Sequence, residues 1–353
     1  MKLNKLRQQI DKIDEGIVKL LNQRAKITLG IGRIKKNAGT SIYCPDRERE
    51  ILRKIVLLSN GPLKPSSLEA IYREVMSSSL SLEKNLQIAF LGPVATFTHQ
   101  AALKRFGSQV DYLSCDSIAD VFSEVEKENA DYGVVPIENS IEGAVNHTLD
   151  MFMDSDLKIC AQIILNISHN LLANCPLKNI RKVYSNPMVF GQCRIWLQKN
   201  LANVELIEVP STTRASQIAA KEKQSASIAS VIAAKIYGLK LAARSIEDSP
   251  HNITRFFVIG KTEVPATGRD KTSLMFSIID KVGALHEMLA SFQKYGVNLS
   301  KIESRPSKRK AWDYYFFVDL EGHRDEPGVK KALGELESKC KFLKILGSYP
   351  IGE

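Results

Sequence analysis

The spacing of apolar residues predicts an all-helical segment at the start of the chain. Over residues 3–36 apolar positions recur at steps of three and four, which predicts one helix about 50 Å long at roughly 1.5 Å per residue. Shorter helices are predicted over residues 46–59 and, with Ser66 or Ser67 as the cap, up to Glu83. A domain of this size cannot cover so long an apolar stripe alone, so a second copy is expected to pack along it.

After this segment, short apolar runs begin to alternate with helical stretches. The alternation predicts an α/β domain over residues 87–262, long enough for two lobes with a cleft between them. A linker at 262–270 precedes a βαββαβ order over residues 271–353, which is typical of a ferredoxin-like module. The chain is therefore predicted to be multidomain, with an all-α helical domain at 1–84 before the two-lobed α/β domain and the ferredoxin-like domain. The predicted α/β strands are 87–91, 131–136, 181–184, 204–209 and 255–259.

Composition and motifs exclude several classes of function. The net charge is +10, but the cations are scattered apart from a short run at 308–310, so nucleic-acid binding is not expected. The six cysteines form no CxxC pair, so neither a zinc site nor disulfides are indicated, and no metal or cofactor is predicted. Residues 30–32 lack a third glycine and follow no strand, so they are not a dinucleotide-binding motif. With no signal peptide and no apolar run of about 20 residues, a cytoplasmic location without membrane partners is expected.

Charged residues of the helical segment have spacings that bring them together. Arg24 and Lys35 are eleven residues apart and share one helix face, where half-buried cations need anions. Taken singly, such charges are more often solvated helix pairs. As a set, they resemble the all-α chorismate mutase family over the first 84 residues. The matching stretches are residues 6–24, 32–36, 45–50 and 72–83.

The mutase resemblance implies a pericyclic rearrangement of chorismate to prephenate, which needs no nucleophile. Catalysis then comes from holding the folded conformer and stabilising charge on the breaking ether oxygen. The resemblance also implies an intertwined dimer in which Arg7 reaches the partner's active site. One departure is Cys44, where some relatives have an acid. The implied substrate-binding residues are Arg7, Arg24, Arg47, Glu48 and Ser79, and the implied catalytic residues, facing the ether oxygen, are Lys35 and Glu83.

Polar residues are dense in several short stretches of the α/β domain. Asn, Ser and Pro favour turns, which accounts for each stretch taken alone. Together the stretches resemble prephenate dehydratase over roughly residues 87–261, apart from Ala95 and Thr98, where relatives usually have glycine and serine. The matching stretches are residues 92–102, 134–150, 168–172, 184–193 and 252–260.

The dehydratase resemblance implies that prephenate loses its ring carboxylate and its hydroxyl to give phenylpyruvate. Hydroxide is a poor leaving group, so a proton donor assists its departure, and Thr254 is the implied catalytic donor. Because threonine is a weak acid, it is expected to relay a proton and not to be its first source. Arg255, also assigned a catalytic role, suits a carboxylate because its planar guanidinium can donate two parallel hydrogen bonds to it. Cys193 is favoured as a small buried hydrophobe, and His169 is expected in the core at least as readily as in catalysis. The residues expected to position the substrate are Glu138, Asn139, Ser185 and Gln192.

Two short motifs mark the C-terminal module, GALH at residues 283–286 and ESRP at 303–306. As structure alone they are a helix start and a strand end. Together they resemble the paired signatures of ACT domains in prephenate dehydratases. This implies L-phenylalanine as an effector at a dimer interface, with its carboxylate near the helix N-terminus. The implied effector residues are Gly283, Ala284, Leu285, His286, Asn298, Leu299, Glu303, Ser304, Arg305 and Pro306.

Taken together, the resemblances predict a bifunctional enzyme of phenylalanine biosynthesis that L-phenylalanine inhibits. Two other interpretations fit part of the sequence. One is a monofunctional dehydratase with a helical dimerisation domain, against which the complete set of mutase residues argues. The other is a non-enzymatic amino-acid-binding regulator, against which the intact motif at residues 252–256 argues.

Overall fold

The computed structural model describes residues 2–38, 43–278, 281–306 and 314–351. The basic run at 308–310 lies outside these residues. Two compact units are present. One contains Met1–Ile88 with Arg105–Tyr112, and the other contains Ala89–Lys104 with Leu113–Glu353.

Three helices form the start of the chain, as the apolar spacing predicts. They are α1 (Lys2–Ala38), α2 (Pro45–Leu58) and α3 (Pro65–Glu83). The prediction that Ser66 or Ser67 caps the third helix is wrong, because the N-cap is Lys64 and makes no side-chain cap bond. Proline begins this helix one residue earlier, since its missing N–H would have no partner in the first turn anyway.

Most of the apolar stripe on α1 is exposed in the single chain. Thr28 and Gly32 are buried. A Cβ built on Gly32 would lie 3.1 Å from the Cα of Glu83, so glycine permits the close approach of α3. Nine other stripe residues keep 43–69% of their surface exposed. They are Leu3, Leu6, Ile10, Ile13, Ile17, Leu20, Ile27, Ile31 and Ile34.

The α/β region contains two sheets. In chain order its elements are β1 (Gln87–Leu91), α4 (Phe97–Phe106), β2 (Asp111–Cys115), α5 (Ile118–Glu126), β3 (Tyr132–Asn139), β4 (Gly143–Ala144), α6 (Asn146–Asp154), β5 (Lys158–Asn166), β6 (Asn170–Ala173), β7 (Lys182–Ser185), α7 (Pro187–Gln192), α8 (Arg194–Asn200), β8 (Glu205–Glu208), α9 (Thr212–Lys221), β9 (Ser225–Ala229), α10 (Val231–Tyr237), β10 (Lys240–Ala243) and β11 (Ile253–Gly260). The first sheet has the order β2-β1-β3-β11-β5, with β4 beside β3, and the second has the order β10-β6-β9-β7-β8. The two sheets confirm the two-lobed architecture.

A four-stranded antiparallel sheet forms the C-terminal module. Its elements are β12 (Asp270–Ser277), α11 (Ala284–Lys294), β13 (Leu299–Pro306), β14 (Tyr314–Glu321), α12 (Pro327–Lys339) and β15 (Phe342–Pro350). The order β13-β14-β12-β15 confirms the ferredoxin-like prediction. Leu274 and Val318 share a core with the two helices. On the opposite face, Met275 and Phe317 share a core with the first α/β sheet, so this module is packed against the α/β region through buried apolar side chains.

Candidate active and effector sites

Four of the predicted mutase residues meet between α1 and α3. We call Arg24, Lys35, Ser79 and Glu83 the helical cluster. The Arg24 guanidinium donates to the Ser79 hydroxyl, which itself donates to the carbonyl of Val75 at 2.8 Å. Lys35 Nζ lies 3.0 Å from Glu83 Oε2, and the Glu83 side chain is only 9% exposed. The cluster therefore places two cations at a partly buried surface, with Glu83 accepting a hydrogen bond from lysine.

Glu48, a predicted substrate ligand, is held by a residue that no sequence pattern had singled out. Arg105, in the last turn of α4, lies 3.3 Å from Glu48 and also donates to the hydroxyl of Tyr43. Burial raises the pKa of Glu48, against the opposing pull of the Arg105 and Arg73 charges. Arg105 groups with the helical unit although it is 57 residues beyond Glu48, a separation at which a sequence pattern carries no signal.

The single chain does not bring Arg7 or Arg47 into the helical cluster. Arg7 lies on the same continuous helix as Arg24, and the seventeen residues between them correspond to about 25 Å along its axis. The Arg47 side chain is 58% exposed and pairs with Glu50 on its own helix. Both side chains are thus presented to the surface of the chain.

A cross-strand pair of Asn139 and Thr254 forms the centre of the second cluster. The two residues are directly opposite in the antiparallel ladder of β3 and β11. Asn139 Oδ1 accepts hydrogen bonds from the backbone amides of Ile141 and Glu142 at 2.9 and 3.0 Å, which fixes the orientation of the side-chain amide. Asn139 Nδ2 consequently donates to Thr254 Oγ1 at 2.8 Å. The threonine oxygen is the acceptor, so the hydroxyl hydrogen is free to point at a substrate.

Hydrogen bonds extend this pair into the second lobe. Asn139 Nδ2 also reaches Asn252 Oδ1 at 2.8 Å, and Asn252 donates to Gln192 Oε1 at 3.0 Å. His169 Nε2 lies 2.8 Å from the same Gln192 oxygen. We call Thr254, Asn139, Asn252, Gln192 and His169 the threonine cluster. Asn252 was not among the predicted site residues, although it falls inside a matched motif. His169 was expected to be a core or hydrogen-bonding residue at least as often as a catalyst, and it is buried and bonded to Gln192.

The protonation state of His169 follows from its neighbours. Gln192 Oε1 can only accept, so His169 donates through Nε2 and its Nδ1 carries the lone pair. That Nδ1 is buried and has no hydrogen-bond partner among the described residues. Burial lowers the pKa of His169, which keeps the ring neutral. A neutral, fixed imidazole orients Gln192 in the cluster.

Two other residues near this cluster are fully buried. Ser185 ends β7 and donates to the carbonyl of Ile228 at 3.0 Å, so the structure does not bring its hydroxyl into the threonine cluster. Cys193 is fully buried, and burial raises its pKa to about 12. This agrees with the interpretation of Cys193 as a small core residue, because the reactive thiolate is absent near neutral pH.

Glu138 and Arg255 lie on the reverse face of the strands that carry Asn139 and Thr254. Arg255 Nη2 is 2.6 Å from Asp319 of β14, and the guanidinium lies over the Phe257 ring at 5.0 Å. Glu138 Oε2 is 3.0 Å from Lys301 of β13 and 3.7 Å from Arg255 Nε. Neither side chain joins the threonine cluster in this structure, because successive side chains of a strand point to opposite faces, and their role in the reaction stays a prediction.

The two predicted effector motifs differ in how their side chains are placed. Gly283 is the N-cap of α11 with a φ of +79°, a backbone conformation that glycine adopts at little cost. Along β13, Ser304 and Pro306 are exposed. Arg305 instead faces inward and forms two bonds of 3.0 and 3.2 Å with Asp150 of α6. Arg305 therefore connects the module to the α/β region in this structure.

The described residues contain neither a metal-binding group nor a membrane-spanning helix. No group of three His, Cys, Asp or Glu side chains among these residues could hold a metal ion. No helix in the same residues is both long enough and apolar enough to cross a membrane.

Comparison with known families assigns all three parts of the chain. The family described as Chorismate mutase type II matches residues 6–84. Prephenate dehydratase matches residues 88–264, and ACT domain matches residues 272–338. The three matches follow one another in the order that the sequence predicted.

Individual relatives cover the whole chain or its larger part. A bifunctional chorismate mutase/prephenate dehydratase of Aquifex aeolicus is 54% identical over 99% of this chain and 98% of its own. A prephenate dehydratase of Arthrobacter aurescens, solved with L-Phe, has a TM-score of 0.70 at 32% identity, covering 75% of this chain and 90% of its own. A protein described as a novel type of quorum quenching acylase also has a TM-score of 0.70, at 26% identity over 75% and 97%. Because the full-length match carries both catalytic parts, the chain belongs to the family of bifunctional chorismate mutase/prephenate dehydratases.

Proposed function

We propose that this chain converts chorismate to prephenate and prephenate to phenylpyruvate, and that L-phenylalanine inhibits it. The observation that carries the proposal is the Asn139–Thr254 pair, in which the asparagine donates and leaves the threonine hydrogen for a substrate. A shared fold does not decide an activity, as the similarity to an acylase illustrates. The argument for function therefore rests on the two clusters of side chains.

In the mutase reaction one C–O bond of chorismate breaks while one C–C bond forms, and no atom is gained or lost. The protein needs only to hold the folded conformer and to stabilise charge on the ether oxygen. Arg24 and Arg7 are the proposed carboxylate ligands, with Glu48 accepting a bond from the ring hydroxyl. Lys35 faces the ether oxygen, and Glu83 assists by donating a hydrogen bond when it is protonated. The remaining proposed substrate contacts are Ser79 and Arg47.

A homodimer would complete the mutase site. Arg7 is about 25 Å along α1 from Arg24, so it cannot serve the same site within one chain. The exposed apolar residues of α1 repeat at three- and four-residue steps and form a seam of the kind that packs against a second helix. Pairing two copies along this seam would cover those residues and bring Arg7 of the partner subunit towards the helical cluster.

In the dehydratase reaction the bond to the ring carboxylate breaks and CO2 leaves. The electron pair of that C–C bond enters the ring as the C–O bond breaks. The hydroxyl departs with the electron pair of the C–O bond. Thr254 donates a hydrogen bond to the departing oxygen and passes it a proton that the threonine regains from solvent, so water leaves and the hydroxyl is restored. Asn139 and Gln192 position the substrate, while Asn252 and His169 hold those two amides. Ser185 supports the second lobe from its buried position.

The C-terminal module is the proposed effector site. The first turn of α11 suits the carboxylate of an amino acid, because a helix N-terminus carries partial positive charge. The proposed domain boundaries are 1–84, 87–262 and 271–353. The proposed contacts are Gly283, Ala284, Leu285, His286, Asn298, Leu299, Glu303, Ser304 and Pro306, with Arg305 as the link to Asp150.

A direct experiment separates this proposal from its rivals. The full-length protein is incubated with chorismate, and prephenate and phenylpyruvate are followed over time. A monofunctional dehydratase would leave chorismate unchanged but consume added prephenate. A non-enzymatic regulator would act on neither compound while still binding L-phenylalanine.

A further inference from the structure

Two neighbouring pairs of residues connect the faces of strands β3 and β11. Thr254 pairs with Asn139, and Arg255 pairs with Glu138. Since side chains alternate along a strand, each strand gives one residue to the threonine cluster and the next residue to the opposite face. A shift of the second pair therefore moves the backbone that carries the first.

Two ion pairs tie that opposite face to the C-terminal module. Arg255 binds Asp319 at 2.6 Å, and both side chains are nearly buried, with 11% and 6% of their surface exposed. Lys301 lies 3.0 Å from Glu138. Asp319 is held further by the Ser273 hydroxyl at 2.5 Å. The Arg255–Asp319 pair is a charge-assisted hydrogen bond in a buried setting, where such bonds are strong and directional. The Lys301–Glu138 pair adds an ion pair whose carboxylate is 36% exposed.

The strand pairing is irregular at the same place. Arg255 is opposite Glu138, but the next residue, Phe256, is opposite Pro136. Ile137 is thus an extra residue in β3, which is the arrangement of a β-bulge. Bulges bend and twist a strand locally and re-aim side chains beside active sites. The bulge gives this segment a point at which Asn139 and Thr254 can change their relative position.

The other end of the connection is the strand of the effector motif. Lys301 is on β13, two residues before Glu303, and Ser304 and Pro306 are exposed on the opposite side of that strand. A ligand held at the exposed side can shift β13, and Lys301 would carry that shift to Glu138. The ligand changes activity only to the extent that it binds one arrangement better than the other.

We infer that Glu138 and Arg255 are positioning residues that transmit the state of the C-terminal module to Asn139 and Thr254. The inference rests on the proposed dehydratase function and its inhibition by L-phenylalanine. It replaces a role in substrate binding with a role in regulation, and it assigns Asp319 and Lys301 as the receiving partners.

The test uses the full-length parent and three variants. Asp319→Asn and Lys301→Met each remove one ion pair from the module side. Lys344→Met is the matched control, because Lys344 also joins the module to the α/β region, but through the carbonyls of Phe152 and Ser155 and the carboxylate of Asp156. For each protein, kcat and KM for prephenate are measured with and without L-phenylalanine. Binding of L-phenylalanine is measured by calorimetry, and the mutase rate on chorismate reports folding.

The expected result is a loss of inhibition without a loss of effector binding. In Asp319→Asn and Lys301→Met the maximal inhibition by L-phenylalanine should fall at least about 5-fold, the lower end of typical coupling between sites. Their KM for prephenate without effector should match the parent, and Lys344→Met should be inhibited like the parent. Lys301→Met keeps the test decisive if Asp319→Asn fails to fold.

Four outcomes would overturn the inference. Parent-like inhibition by L-phenylalanine in the folded variants would exclude the proposed path. An equal loss of inhibition in Lys344→Met would show that any loosening of the module removes the inhibition. A raised KM without effector in both variants would return Glu138 and Arg255 to substrate binding. A parent that makes no phenylpyruvate, or that ignores L-phenylalanine, would remove the proposed function together with this inference.

Discussion

Replacing Thr254 by valine removes one hydroxyl and keeps the branched shape of the side chain. The hydroxyl accepts one hydrogen bond, from Asn139 Nδ2 at 2.8 Å. The same amide nitrogen has two hydrogens, of which one retains Asn252 Oδ1 at 2.8 Å and the other still has the Ile253 carbonyl 3.4 Å away as a weaker acceptor. The expected loss of stability is therefore about 1 kcal/mol, the net value of one ordinary hydrogen bond.

The expected loss of dehydratase activity is much larger. A positioned proton donor typically contributes about 10²- to 10⁴-fold, which corresponds to roughly 2.7–5.4 kcal/mol in the activation barrier. The assay follows phenylpyruvate formation from prephenate, with the mutase rate on chorismate as the folding control. Thr254→Ser keeps the hydroxyl and serves as the matched variant. It should retain most of the activity that valine loses, and both variants should keep the mutase rate.

The reasoning fails if valine and serine behave alike. A valine variant with a dehydratase kcat within a few-fold of the parent would show that the hydroxyl at position 254 does not assist the leaving group. A variant that lost mutase and dehydratase activity together would point to a folding defect instead, and thermal unfolding would identify it.

Three further predictions concern other parts of the chain. Glu83→Gln should keep the mutase rate, because an amide always has a hydrogen to donate to the ether oxygen; a large loss of that rate in a folded variant would exclude a donor role at position 83. Ala95 is buried with a φ of +76°, a backbone conformation in which a Cβ costs roughly 1–2 kcal/mol. Ala95→Gly should therefore raise the urea midpoint of unfolding, although glycine gives the unfolded chain more freedom. An unchanged or lower midpoint would contradict this. Burial lowers the pKa of His169 below its ordinary value of about 6.5, so the unfolded chain takes up a proton first as pH falls. The free energy of unfolding should therefore be highest above about pH 6.5 and decline below it, less steeply in His169→Asn than in the parent. If urea unfolding gives both proteins the same slope of that free energy against pH, the assignment of a neutral, buried His169 is refuted.

Elements with strong periodicity could be predicted from the sequence. The three helices of the first segment and the βαββαβ order of the C-terminal module follow from apolar spacing alone, since each buries a regular face. Strand β9, with the sequence SASIA, could not be found in this way. All five of its residues are buried, so there is no alternation, and its small polar residues resemble a turn.

Contacts between distant segments limited the prediction of the sites. Arg105 reaches Glu48 across 57 positions, and no local pattern relates the two residues. The placement of Arg255 is different, because the alternation of a strand was already available from the sequence. Adjacency to Thr254 in one motif suggested a shared role, whereas strand geometry requires adjacent residues to face opposite ways. Asn252, two residues before Thr254, could have been selected by the same rule.

The measurement that tests the central claim most directly is a time course of the purified full-length chain with chorismate alone. Prephenate should appear first and phenylpyruvate should follow, with CO2 released in equal amount to phenylpyruvate. Accumulation of prephenate without phenylpyruvate, in a preparation that is folded, would contradict the dehydratase assignment. Persistence of chorismate alongside turnover of added prephenate would contradict the assignment of the helical cluster as a mutase site.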